Sequence, residues 1–165
     1  ECYCQSVFLN SVANYSLLVG QQTDLYKCIL TNCFDLLSNN GFMGLLHPES
    51  VYDDPKGQPL RKVIFNRLRY HFQYHNELSL FAEVHHSTKY GTQVYGGTQS
   101  IINFDSIHNL FHPSTVDACY IHPGGGKCPG IKERGKWCID GHKNRIVHIG
   151  PEELQIIANT FEDGA

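Results

Sequence analysis

With 165 residues, 41% apolar and 18% charged, the chain has the size and composition of one soluble globular domain that can bury a core. A net charge of -3 with neutral histidines provides no overall basic field for a polyanion, although the ten histidines add positive charge near pH 6.5. No apolar run approaches the ~20 residues of a membrane helix, which excludes that class, and the first residues carry no signal-peptide pattern.

Residues 1–22 show no clear period. Thr23 is a good N-cap, with Asp24 favourably placed in the positive first turn. Leu25, Cys28, Ile29, Cys33, Leu36 and Leu37 then follow at helical spacing until Asn39-Asn40-Gly41 ends the helix. Residues 42–46 are a short, continuously apolar run that predicts a strand covered on both faces, with Gly44 suited to a close backbone approach. His47-Pro48 closes it, and residues 53–57 read as a loop.

Pro59 is well placed as a first helical residue. Behind it Leu60, Val63, Ile64 and Leu68 form one stripe, opposite Arg61, Lys62, Asn66 and Arg67. From Tyr70 the period changes to two, with Tyr70, Phe72 and Tyr74 alternating with His71, Gln73 and His75. A second short strand covers residues 92–95. The loop between them, residues 76–91, is long for a hairpin, and loops of that length often carry function.

Residues 97–130 are rich in Pro and Gly and read as loop. A compact segment at 135–149 holds the only Trp, and Gly150-Pro151 starts a last helix through Phe161, with Glu152 and Glu153 in its first turn. Seven cysteines suit either a reduced cytosolic protein or a secreted one with six paired. Cys28 and Cys33 fit the helical pattern as small apolar residues, which favours the reduced reading.

The order of these elements resembles the C-terminal half of the catalytic domain of adenine-N6 DNA methyltransferases, in the large restriction–modification and phage-defence type. The residues that carry the resemblance are Asp24-Leu25-Tyr26 at the helix start and the pattern Leu36-Leu37, Gly41, Gly44, Pro48. Leu60-Arg61 and the loop pair Leu80-Phe81 complete it. It spans about residues 21–97, with a weaker likeness through Trp137, Gly141-His142 and Arg145-Ile146. The implied fold is α/β: the distal part of a Rossmann-like methyltransferase sheet over residues 1–97, then a loop-rich extension over 98–165 that opens a target-recognition region.

What the resemblance implies is methyl transfer from S-adenosylmethionine to the exocyclic amine of an adenine in double-stranded DNA. Such a base must leave the stack to be reached. Phe81 matches the position that stacks on the flipped base, with Tyr90 as a second aromatic in the same loop. Asp24, Leu25 and Tyr26 match the border of the cofactor pocket. The family's glycine cofactor motif and its Asn/Asp-Pro-Pro-aromatic motif are absent, so no catalytic residue is assigned and the chain is expected to be inactive alone. A chain that opens at Glu1 fits a fragment, working with the remaining half of the methyltransferase or as a self-dimer, in the cytoplasm and away from membranes.

Other readings compete at particular residues. His71 and His75 share one strand face, beside His85-His86, as two metal ligands or as a solvated face. Cys119, Cys128 and Cys138 with His122 or His142 have zinc-ligating types without the tight C-x-x-C spacing, and no metal is assigned. Gly124-Gly125-Gly126-Lys127 lacks the spacing of a phosphate loop. Lys132, Arg134, Lys136, Lys143 and Arg145 are a locally basic set, suited to DNA phosphates or to an ordinary solvated surface. The alternative for the whole chain is a secreted, disulfide-stabilised binding protein without enzymatic activity.

Overall fold

Pro59 sits in the first turn of a helix, where its missing N–H costs nothing, and Leu60, Ile64 and Leu68 behind it are fully buried. In the computed structural model, which describes residues 2–22 and 24–161, this helix is α5, Gln58–Arg67. It follows α1 (Cys2–Leu9), α2 (Val12–Tyr15), α3 (Leu25–Leu36), β1 (Phe42–Pro48) and α4 (Ser50–Asp53). The strands β2 (Leu68–His75) and β3 (Lys89–Gly96) come next, then β4 (Phe104–Leu110) and α6 (Ser114–Ile121). A two-stranded ribbon of β5 (Lys132–Glu133) and β6 (Lys136–Trp137), the strand β7 (Val147–Ile149) and α7 (Pro151–Phe161) complete the chain.

Five strands form one mixed sheet in the order β1-β3-β2-β4-β7. β3 lies antiparallel between β1 and β2, β2 runs parallel to β4, and β7 closes the far edge antiparallel to β4. β1, β2 and β4 therefore point the same way, and their C-terminal ends share one end of the sheet. The class is α/β, as the sequence implies. One face packs Leu18, Leu30, Phe34, Leu60, Ile64, Tyr95 and Phe104 into the main core under α3 and α5. Because side chains alternate along a strand, Tyr74, Tyr90, Ile107 and Leu110 form a second cluster on the other face, with Cys119 of α6.

Several expectations need correction. Thr23 lies outside the described residues, and Asp24 holds the N-cap position of α3 without a side-chain cap bond. β1 is not covered on both faces: Phe42 is 71% and Leu46 is 55% exposed, because β1 is an edge strand packed on one side only. Nor does Gly44 receive a close approach, since a Cβ there would meet nothing within 4 Å. Residues 2–18 are helical in short pieces, and β4 and α6 lie within the stretch read as loop. The six described cysteines with resolved side chains are free thiols; the side chain of Cys2 falls outside the described set.

The close approach that does require glycine is at Gly97, just past β3. A Cβ there would stand 2.0 Å from the backbone oxygen of Asn39, at the turn that leads into β1. Backbone cannot swing aside as a side chain can, so Gly97→Ala is expected to cost about 1–3 kcal/mol. A shift in the urea midpoint measures it, and an unchanged midpoint would mean that the Asn39 turn yields freely.

Candidate functional site

α3 begins beside the C-terminal end of β1. Tyr26 stacks on His47 with ring centroids 5.6 Å apart, and its hydroxyl shares a hydrogen bond of 2.7 Å with Ser50 Oγ. His47 in turn reaches the Tyr95 hydroxyl through Nε2 at 2.9 Å. Burial raises the Tyr26 hydroxyl and lowers the His47 imidazole, so both stay neutral near pH 7. Next to this anchored ring, Asp24 and Leu25 are exposed, Leu25 by 69%. Lys27, one residue on, is buried and pairs with Asp54 at 2.6 Å, which fixes the start of α3 to the loop after α4.

The second predicted pair lies at the same end of the sheet but on its other face. Tyr90 is opposite Pro48 in the β1–β3 register, one step from His47. It is buried, stacks on Tyr74 at 5.4 Å, and receives the edge of Phe81 at 5.0 Å with the planes at 86°. Burial lifts the hydroxyls of both tyrosines, that of Tyr74 to about 12. Tyr90 is thus a supporting ring, and Phe81, 40% exposed, is the one that faces solvent. Asp24, Leu25 and Tyr26 do not touch Phe81; the two groups flank the end where β1 and β2 finish, which is where open α/β sheets bind ligands.

No protein-family model matches the chain, and no curated protein does. Among solved structures it is similar to the type IIG restriction endonuclease BpuSI. The TM-score is 0.50 and the identity 14%, over 94% of this chain and 18% of that one. At that identity the likeness is one of fold. The chain spans less than a fifth of the length of the enzyme it resembles.

Beneath the sheet end lies a polar cluster that sequence reasoning missed. The buried Glu49 carboxylate accepts from His71 Nε2 at 3.0 Å, from Gln93 Nε2 at 3.0 Å and from Gln73 Nε2 at 3.2 Å. His71 Nδ1 lies 3.0 Å from Ser106 Oγ, which is 2.8 Å from His108 Nε2. The cluster lines a cavity of about 300 Å³ walled by Tyr52, Phe65 and Phe104. Burial alone would raise the Glu49 carboxyl, but hydrogen bonding and charge from His71, with help from Gln73, hold it below the usual value. Ser106, His71 and Glu49 stand in the order of nucleophile, base and orienting carboxylate. Yet Ser106 is buried mid-strand, with ladder partners His71 and Val147 on either side, and its hydroxyl also reaches the His71 carbonyl at 3.4 Å. The cluster is a buried polar core held together by side-chain hydrogen bonds.

His108 makes the fold acid-sensitive. Burial, with His71 nearby, pushes His108 from 6.5 down to about 4. Between those values the unfolded chain binds a proton that the folded chain refuses, so stability falls as pH drops through that window. Glu49 acts in the same direction below its ordinary 4.5, since its folded-state pKa is lowered. Urea midpoints are expected to decline steadily below pH 6.5, and His108→Gln should flatten the decline. A midpoint independent of pH from 6.5 to 4 would contradict this.

The remaining candidates separate. His71 joins the buried cluster, whereas His75 bonds Asn109 Oδ1 at 3.1 Å. Cys119 is buried in the second core, Cys138 Sγ contacts Asp140, and the rings of His122 and His142 lie 4.2 Å apart, tilted at 37°. No group of three His, Cys, Asp or Glu side chains converges among the described residues. Gly124, Gly125 and Gly126 all hold positive φ, a conformation glycine adopts readily, in a loop tied by His142 to the Gly125 carbonyl. Lys132, Arg134 and Lys136 are exposed on the β5–β6 ribbon and make no ion pair among the described residues. Lys132 lies over the Trp137 ring at 3.7 Å. No described helix is long and apolar enough to cross a membrane.

Proposed function

We propose that this chain is the base-binding portion of an S-adenosylmethionine-dependent adenine-N6 DNA methyltransferase of the restriction–modification type. The observation that carries the reading is placement at one end of the sheet. Two groups 55 residues apart, Asp24-Leu25-Tyr26 and Phe81, flank the same end of the sheet, at the C-terminal ends of β1 and β2. The fold likeness to a restriction enzyme supports an origin in a protein that acts on DNA.

In this reading Phe81 is the platform for an unstacked adenine, and the Tyr90–Tyr74 stack behind it keeps the ring from sinking into the core. The exposed Asp24 and Leu25 beside the anchored Tyr26 fit one wall of a cofactor pocket, open on its other side. When bound there, S-adenosylmethionine would supply the electrophilic methyl group. Lys132, Arg134 and Lys136 contact phosphates of double-stranded DNA, which makes binding weaken as salt rises. The setting is the cytoplasm. Groups that hold the rest of the cofactor and activate the amine come from a companion half, docked along the edge of β1.

The test is incubation of the chain with radiolabelled S-adenosylmethionine and mixed-sequence duplex DNA. The chain alone is expected to transfer no methyl group above background. Clear transfer would overturn the division of labour between two halves.

A further inference from the structure

Asn76 is fully buried at the point where β2 ends, and its side chain is spent on one loop. Its Nδ2 donates to the carbonyls of Phe81 at 2.9 Å and Val84 at 2.8 Å. Its Oδ1 accepts from the Phe81 N–H at 3.0 Å. The Asn76 backbone N–H donates to the Thr88 carbonyl at 3.1 Å, which closes the mouth of the loop, and Ser79 turns the chain through φ 51°. Leu78, Leu80, Phe81 and Val84 are all exposed on the loop held in this way.

Apolar side chains on an untethered loop would collapse onto each other or sample many positions. Here the amide satisfies the loop's inner backbone groups, and the loop satisfies the amide, so each is costly to displace. Both bonds to residue 81 fix the backbone from which the Phe81 ring reaches the edge of Tyr90. We propose that Asn76 is a positioning residue: it sets the place of Phe81 as a stacking platform for an extrahelical base. The clamp stands on geometry alone, while the base-holding role rests on the function proposed above.

Hydrogen exchange and DNA binding on the 165-residue chain separate the two. Asn76→Ala is expected to speed exchange of the Phe81 amide about tenfold or more while β2 and β3 stay protected, as local opening predicts. Asn76→Asp keeps the acceptor for the Phe81 N–H but loses both donors. It should speed exchange across residues 78–84 while β2 and β3 stay protected, and unchanged exchange there overturns the clamp if the alanine variant fails to fold. The unchanged chain should bind a duplex with one adenine opposite an abasic site about tenfold more tightly than the fully paired duplex. That preference should shrink to about twofold or less in Asn76→Ala, as it should in Phe81→Ala. Unchanged Phe81 exchange in Asn76→Ala overturns the clamp. Faster exchange with the preference intact overturns the positioning role. Absence of any preference in the unchanged chain overturns the base-holding reading, and exchange then judges the clamp by itself.

Discussion

Glu49→Ala is expected to remove about 3–5 kcal/mol of folding stability, because it leaves several donors without their acceptor, at about 1–3 kcal/mol for each buried group left unpaired. Three donors converge on that carboxylate: His71, Gln73 and Gln93. Alanine leaves all of them without that acceptor, at a cavity partly walled by aromatic rings. A loss of this size is a large share of the ~5–15 kcal/mol that holds a typical domain together. Glu49→Gln keeps an acceptor and the volume, and should cost clearly less. Urea denaturation with linear extrapolation measures both variants, with the slope checked for constancy. A loss below about 1 kcal/mol for the alanine variant would mean that water reaches the cluster and that the pairing adds little. Glu49 directly follows Pro48, so a melted cluster should also loosen the sheet end where Tyr26 and Tyr90 are anchored.

Elements that depend on local pattern were the legible ones. Pro59 with the Leu60–Ile64–Leu68 stripe declares α5, and Pro151 with Glu152 and Glu153 declares α7. The switch to period two at Tyr70 declares β2. What local pattern does not carry is which neighbour covers a strand. Residues 42–46 look like a buried strand because all are apolar or glycine, yet Phe42 and Leu46 face outward, as an edge strand allows. β4 was hidden because Asp105, Ser106, His108 and Asn109 dilute its apolar residues. Those polar groups are satisfied by partners far away in sequence, His71 for Ser106 and His148 for Asp105. The same reason hid the buried cluster. Gln93 in the middle of a predicted strand, and Glu49 just after one, were the available signals: polar side chains where neighbours are buried need partners. Phe81 and Tyr26 were visible through resemblance to a family, whereas Asn76 was not, since its role is written only in hydrogen bonds to a loop.

Methyl transfer should appear when a companion half is joined to β1. Among the described residues β1 pairs on one side only, with β3, and leaves its other edge open. Open strand edges are templates for another strand, and natural proteins cover them. Phe42 and Leu46 on β1 itself are exposed, apolar side chains that favour burial against a partner. The companion to be tested is a polypeptide with the glycine cofactor motif and the Asn-Pro-Pro-aromatic motif, taken from DNA adjoining this coding sequence and produced together with the chain. The pair is expected to methylate duplex DNA at adenine N6, by at least about a thousandfold over the chain alone, since positioning and amine activation are then combined. Gly44→Pro should disrupt β1 as a template for strand addition, so it is expected to abolish both co-purification and transfer. Phe81→Ala should leave co-purification intact while lowering transfer by about tenfold or more, in line with loss of one base-stacking contact. Full transfer with Phe81→Ala would remove the base-platform role. Co-purification that survives Gly44→Pro would place the companion elsewhere than on β1.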